Sequence, residues 1–387
     1  MTIVVTGGGS GGHITPILAV AAELKRLDPN TKVVFIAQKG GHLVDIVEAD
    51  RHIDSSYFVN AGKFRRYHDR GLSQFFDLSI QRLNMRDLFA TISGLGQSWR
   101  VLGKIKPDIV FTRGGYVSVP VAVASWLRRI PFMTHDSDST PSLANRLIAP
   151  LAALHLVALD PSIYPYPLDK TVRVGVPINR EYQPVSLADQ AKFKKSLGLN
   201  QNYPMIMVTG GGNGADTLNN QVVANAGFLL RRYPKLRLVH MSGRLWYESV
   251  QEQYNKLPKD QLERVIVKDF VSDLYRYSGA ADIVIARGGA TNIAEFAAQG
   301  KACIMIPAKQ LVWNINNVDV LAKQGAIISL SEDQADQELR LGNTVARLLD
   351  DEKAREELKK KIAQIYVPDA AVKIAKLLLG QSEKGRS

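Results

Sequence analysis

Short apolar runs alternate along this chain with longer stretches whose apolar positions recur every three or four residues. "TIVVT" at Thr2 to Thr6 is followed by a glycine loop, then by "TPILAVAAELKRL" at helical spacing, then by "KVVFIA". That order predicts a strand, helix and strand unit. "DIVFT", the turn "RGGYVSVP" and the helical stretch after it repeat the theme, and "PFMTHDSD" supplies another strand that ends in polar residues. A second set follows "VGVPINREYQPVSL", where two prolines and fading periodicity predict an interdomain linker over roughly residues 175–200. Its strands are expected in "MIMVT", "LRLVHMSG", "VIVKDFVSD", "DIVIA" and "ACIMIP". Regular alternation of strands and helices predicts parallel sheets, so the fold class is α/β, with two doubly wound Rossmann-like domains facing a central cleft. The expected boundaries are 1–178 and 179–368, with 369–387 a helix and polar tail that packs back on the first domain.

Length agrees with that division, since 387 residues exceed the size at which single cores stop growing. The segment from Met1 to Gly8 has no basic region before its strand, so no signal peptide is expected and the chain is placed in the cytosol. Cys303 is the single cysteine, which removes internal disulfides and cysteine-based metal cages, and its apolar run "KACIMIP" predicts a buried strand position. The net charge of +12 calls for an anionic partner. Nucleic acid is the weakest choice, because the basic residues are dispersed and no nucleic-acid-binding motif is present.

Candidate chemistry sits in the glycine turns. Gly7, Gly9 and Gly12 match G-x-G-x-x-G, yet the second strand ends in Gln38 and Lys39 rather than the acidic residue that a dinucleotide ribose needs. What survives is a loop whose glycines admit close backbone approach and whose helix N-terminus favours an anion. His13 follows directly, as either a turn or capping residue or a general base for a hydroxyl proton. "VTGGGNGA" at Val208 to Ala215 makes a second loop of this kind, and "ARGGATNIAEF" a third, placing Glu295 within the next helix. Glu295 reads either as a solvated surface carboxylate or as an acceptor for two hydroxyls of a ribose. Asp136 and Asp138 form a D-x-D pair at a strand end, which also admits a metal-diphosphate reading.

These motifs together resemble the MurG-type glycosyltransferases of the GT-B fold, over nearly the whole chain. "TGGGSGGHITP" looks like the family's first glycine loop and "RGGYVSVP" like its second. "GKFRRY" and "HDSDSTPSLANR" resemble segments of one branch, and "RGGATNIAEF" resembles the nucleotide-binding helix. The resemblance implies that Ser10, Gly11, Gly12 and Asp138 border sugar and acceptor, while Gly212, Val271 and Glu295 hold the uridine nucleotide. Asn314 matches a position, commonly glutamine, that contacts the donor sugar. Arg180 follows Asn179, which occupies the place where the family often has a diphosphate-contacting arginine. Asp136 stands where a glutamate is usual, and "VWNINN" lacks the paired glutamines typical of N-acetylglucosamine recognition.

The activity so implied is an inverting transfer of N-acetylglucosamine from UDP-GlcNAc to the C4 hydroxyl of the MurNAc unit of lipid I, giving lipid II for peptidoglycan. His13 is the first candidate base and Asp136 the second. No cofactor and no metal are implied. The expected partners are UDP-GlcNAc, the undecaprenyl-linked acceptor and the anionic cytoplasmic face of the membrane, where the chain would sit peripherally. "GKFRRYHDRG" with "SQFFDLSIQRLNMRDLFATI" is the candidate interfacial patch; the alternative is a basic loop before a core-facing helix. A related transferase with another UDP-sugar or lipid acceptor is the alternative function. A nucleotide-dependent oxidoreductase and a non-catalytic nucleotide or lipid binder stand further behind.

Overall fold

The computed structural model describes residues 1–8, 11–40, 47–62 and 78–384. The chain divides into two compact units, Met1–Asn179 with Asp369–Ser387, and Arg180–Pro368.

In the first unit the order is β1 (Thr2–Thr6), α1 (Gly11–Leu27), β2 (Lys32–Gln38), β3 (Ser55–Val59), α2 (Leu78–Ile105), β4 (Ile109–Thr112) and α3 (Ser118–Leu127). Then come β5 (Phe132–Asp136), α4 (Leu143–Ile148), β6 (Leu154–Val157) and β7 (Thr171–Arg173). The described strands form one sheet in the order β3-β2-β1-β4-β5-β6-β7, every neighbouring pair parallel. Successive strand side chains point to opposite faces, so "TIVVT" builds two cores. Ile3 and Val5 join Val33, Phe35, Ile109 and Phe111 against α1, while Val4 joins Val34, Ile36 and Val110 against α2 and α3. Burial on both faces explains why these strands read as unbroken apolar runs.

The second unit runs α5 (Leu187–Ser196), β8 (Met205–Thr209), α6 (Asp216–Arg232), β9 (Arg237–Met241), α7 (Tyr247–Tyr254), α8 (Lys259–Leu262) and β10 (Val265–Lys268). It continues with α9 (Leu274–Ala280), β11 (Ile283–Ala286), α10 (Ala290–Gln299), β12 (Cys303–Met305), α11 (Val312–Lys323) and β13 (Ile328–Ser329). It closes with α12 (Glu332–Asp336), α13 (Arg340–Asp350) and α14 (Glu352–Ala363). Its sheet order is β10-β9-β8-β11-β12-β13, again parallel. Ile206 and Val208 enter one core with α6 and α13, and Met205 and Met207 enter the other with α10 and α11. Cys303 is buried in β12, as its apolar run predicts.

The last helix, α15 (Ala370–Lys384), returns to the first unit, where Ala371, Ile374, Ala375 and Leu378 join Ile17, Val20 and Leu24 in the core. The segment read as a linker is partly structured: α5 lies inside it and belongs to the second unit. Its buried positions are Gln190 and Lys194, which bond the Ala280 and Ala281 carbonyls and Asp282.

Candidate functional site

Each sheet reverses its strand order once, between β1 and β4 and between β8 and β11. Loops leaving the carboxyl ends of such strands diverge to opposite faces and open a crevice there. All of the glycine turns singled out in the sequence lie at these places.

In the first unit the turns after β1, β4 and β5 converge. Gly115 has φ +81°, and a Cβ there would lie 2.4 Å from the Gly8 carbonyl oxygen, so only glycine lets these backbones meet. The Thr112 hydroxyl accepts from Gly114 N at 3.2 Å, and the Ser118 hydroxyl donates to the Gly114 carbonyl at 2.7 Å. Ser10 lies outside the described residues. Gly11, Gly12 and His13 form the first turn of α1, with their side chains outside the described set.

Asp136 ends β5 and is buried. Its Oδ1 accepts from Asn145 Nδ2 at 2.9 Å and Ser142 N at 3.2 Å, and its Oδ2 accepts from the Tyr166 hydroxyl at 2.8 Å. Burial raises its pKa, against those hydrogen bonds and the Arg113 charge. Three protein donors on one carboxylate make it an anchor for the turn that follows. Asp138 is half-buried, and its carbonyl accepts from the Tyr164 hydroxyl at 3.0 Å. The buried Arg113 guanidinium is lowered to about 10 by desolvation and held up by the charges of Asp138 and Asp136.

In the second unit Gly214, at φ +77°, presses on the next turn: a Cβ there would lie 2.1 Å from the Ser242 carbonyl oxygen. That turn is held from beneath, since buried His240 bonds Tyr254 Oη at 2.9 Å and Asn219 Oδ1 at 3.0 Å, and Asn219 Nδ2 donates to the Ser242 carbonyl. The second contact makes Nε2 the protonated nitrogen, and burial depresses the imidazole to about 3. Gly212 faces the Phe270 ring, which carries the Arg244 guanidinium 4.9 Å from its centroid. Val271, next to Phe270, packs on the core that also holds Ile293 of α10. Asn314 is buried at the start of α11, and its carbonyl abuts Gly288. Gly212, Val271, Glu295 and Asn314 therefore lie on the turns and helices that follow β8, β10, β11 and β12. Arg180 is exposed at the start of this unit.

Glu295 is 7% exposed, which removes the reading of a solvated surface carboxylate. Burial raises its pKa to about 8, opposed by hydrogen bonds from Tyr182 and Asn292. Asn292 Nδ2 donates to Oε2 at 3.1 Å. The N-terminus of α10 is capped by Gly289 with no side-chain bond and has no acidic residue in its first turn, whereas α6 carries Asp216 there. An anion is therefore better accommodated before α10 than before α6.

The family model for the glycosyltransferase family 28 N-terminal domain matches residues 3–155, and that for the C-terminal domain matches 205–374. The chain belongs to glycosyltransferase family 28. Among its relatives is a Clostridium tetani protein, 31% identical over 342 residues that make up 88% of this chain and 87% of that one. A Bacillus pumilus relative is 30% identical over 381 residues, 98% of each chain. Both are named UDP-N-acetylglucosamine–N-acetylmuramyl-(pentapeptide) pyrophosphoryl-undecaprenol N-acetylglucosamine transferase. In fold the chain is similar to the crystal structure of Acinetobacter baumannii MurG, with TM-score 0.69 and 21% identity over 98% of this chain and 99% of that one. It is also similar to a Staphylococcus aureus MnaA–UDP structure, with TM-score 0.66 and 13% identity over 98% and 97%. The fold is thus that of the GT-B glycosyltransferases.

Within this family 28 frame, two residues beside Glu295 and the Gly212–Phe270 contact had escaped the sequence: Tyr182 and Arg244. Arg244 had a legible signal, a cation directly after the Ser-Gly turn that ends β9. Tyr182 had none, because Glu295 is far away in the chain.

Proposed function

We propose that this chain performs the transfer for which its relatives are named, moving N-acetylglucosamine from UDP-GlcNAc to the MurNAc C4 hydroxyl of undecaprenyl-diphospho-MurNAc-pentapeptide. The observation that carries the reading is the buried carboxyl of Glu295 on α10, the helix that follows β11 at the switch point of the second sheet and whose N-terminus has no side-chain cap. A hydroxyl acceptor and an anion site side by side suit a ribose joined to a diphosphate. Gly212 and Val271 would flank the uracil and ribose, Arg180 and Arg244 would lend positive charge to the diphosphate, and Asn314 would meet the sugar.

The acceptor belongs to the first unit, at the loops carrying Ser10, Gly11, Gly12 and Asp138. The acceptor oxygen attacks C1, the bond from C1 to the β-phosphate oxygen breaks with inversion, UDP leaves as the anion, and the hydroxyl proton goes to a base. We assign that base to His13 and give Asp136 the task of holding the Ser137–Ser142 turn. Preorganised N–H donors at the departing diphosphate supply charge stabilisation where it grows.

The acceptor's lipid calls for a membrane face. Among the described residues no helix is long and apolar enough to cross a membrane. On α2, however, Met85, Leu88, Phe89 and Ile92 are exposed at helical spacing, with Phe89 at 65%, so this row does not face the core. Arg82, Arg86 and Arg100 are exposed on the same helix, and Arg128 lies 4.1 Å over Trp99. Lys63 to Asp77, the rest of the expected patch, lies outside the described residues. We assign this row to the anionic cytoplasmic membrane surface, as a peripheral contact.

Asn314, in a "VWNINN" segment without paired glutamines, favours a second reading, another UDP-sugar donor. Thermal shift with UDP-GlcNAc, UDP-GalNAc, UDP-glucose and NAD tests both. The largest stabilisation is expected from UDP-GlcNAc, and stabilisation by NAD alone would overturn both.

A further inference from the structure

We infer that Tyr164 and Tyr166 are positioning residues of the acceptor site, a pair of phenols that fixes both ends of the Asp136–Asp138 segment. Tyr166 donates to Asp136 Oδ2 at 2.8 Å, and Tyr164 donates to the Asp138 carbonyl at 3.0 Å. The Tyr164 oxygen also accepts from Leu159 N at 3.4 Å, so this hydroxyl ties the turn after β5 to the turn after β6. The inference rests on the assignment of Asp138 to the acceptor.

The local sequence explains the pair. In "YPYP" at Tyr164 to Pro167 each tyrosine precedes a proline, which favours extended backbone, and Tyr164 has φ −96° and ψ 146°. Alternate residues of an extended segment point the same way, so the two phenols stand side by side. Their rings are 7° from parallel with centroids 6.2 Å apart, and the Tyr166 ring stacks on His155 of β6 at 4.1 Å and 13°. His155 Nδ1 in turn lies 2.9 Å from Thr134 Oγ1 of β5. A stack of three rings, referenced to two strands of the sheet, therefore aims the hydroxyls. Tyr164 and Tyr166 are buried with Val157 in a small cluster of their own, apart from the two cores that carry the sheet. Removing a hydroxyl there leaves a buried acceptor without its donor and loosens the turn, while the cores stay packed. Both tyrosines belong to the first unit, whereas Gly212, Val271, Glu295 and Asn314 belong to the second. The effect should thus fall on the acceptor and not on the donor.

The test follows the kinetics of full-length Tyr164→Phe and Tyr166→Phe, which keep the ring stack and remove one hydroxyl each, with UDP-GlcNAc and undecaprenyl-diphospho-MurNAc-pentapeptide varied separately. Each variant is expected to raise the acceptor KM by about three- to tenfold, the scale of one hydrogen bond, with the donor KM and the calorimetric affinity for UDP within about twofold of wild type. Asp138→Ala, run beside them, should raise the acceptor KM at least as much. An unchanged acceptor KM in Asp138→Ala would overturn the acceptor assignment and this inference with it. An acceptor KM raised in Asp138→Ala but in neither tyrosine variant would overturn the inference alone. Equal losses toward donor and acceptor, with a lowered unfolding temperature, would show that the pair only supports the fold and would overturn the inference as well.

Discussion

Arg287 and Glu332, which begin the turn after β11 and helix α12, meet at 2.6 Å with 12% and 5% of their side chains exposed. The other Glu332 oxygen accepts from Lys309 N, and its carbonyl accepts from Gln221 of α6. One carboxylate residue therefore ties together the turn before α10, the turn before α11 and the helix after the second glycine loop. The two turns lead into the helices that carry Glu295 and Asn314. Glu332→Gln leaves a buried guanidinium without its counter-ion and is expected to cost about 3–5 kcal/mol in urea unfolding, with a raised donor KM. A loss below about 1 kcal/mol would show that the pair holds nothing in place.

The buried Glu295 sets a pH dependence. Its pKa of about 8 in the native state lies above the ordinary 4.5, so the folded protein holds the proton more tightly than the unfolded chain. The resulting stability is full below about 4.5 and is lost as pH rises to about 8, by at most about 5 kcal/mol. Glu295→Gln should flatten that part of the ligand-free stability curve; an unchanged slope would refute the origin. Because hydroxyl donors favour the carboxylate form, UDP binding should release a proton near neutral pH, read as a buffer-dependent binding enthalpy.

His13 and Asp136 separate by kinetics. His13→Ala is expected to lower kcat by about 10² to 10⁴ with UDP affinity kept, as loss of a general base does. Asp136→Asn removes the charge that three donors hold, and should cost about 1–3 kcal/mol of stability. If Asp136→Asn instead kept full stability and lost kcat on the scale of His13→Ala, the two roles would be reversed.

The exposed row on α2 is tested with vesicles. Replacing Phe89 and Ile92 by glutamate should lower partitioning onto anionic vesicles at least about tenfold, since burying either side chain is worth about 1.5–3 kcal/mol. Transfer to a soluble acceptor should be unaffected. Binding that ignored both substitutions and salt would show that this surface does not meet the membrane.

The architecture was legible because these strands are buried on both faces and so read as apolar runs, punctuated by glycines that the close approaches of Gly8 to Gly115 and of Gly214 to the Ser242–Gly243 turn require. Helix α5 was not legible, because what it buries is Gln190 and Lys194, polar side chains paired with carbonyls and Asp282 some ninety residues away. Local periodicity does not report such a helix. Of the site, Glu295 was visible as a residue but not as a buried one. Its environment comes from Tyr182, over a hundred positions earlier, and Asp136 owes its anchoring to Tyr166 in the same long-range way.

The proposed reaction is a transfer of one N-acetylglucosamine to a lipid-linked acceptor. Its most direct test is incubation of the purified chain with UDP-GlcNAc and undecaprenyl-diphospho-MurNAc-pentapeptide, with UDP release and product mass followed together. Acceptor-dependent UDP release and a product heavier by one N-acetylhexosamine unit are expected, both abolished in Glu295→Ala at low donor concentration. UDP release that proceeds equally without acceptor, or an acceptor that never gains the sugar, would contradict it.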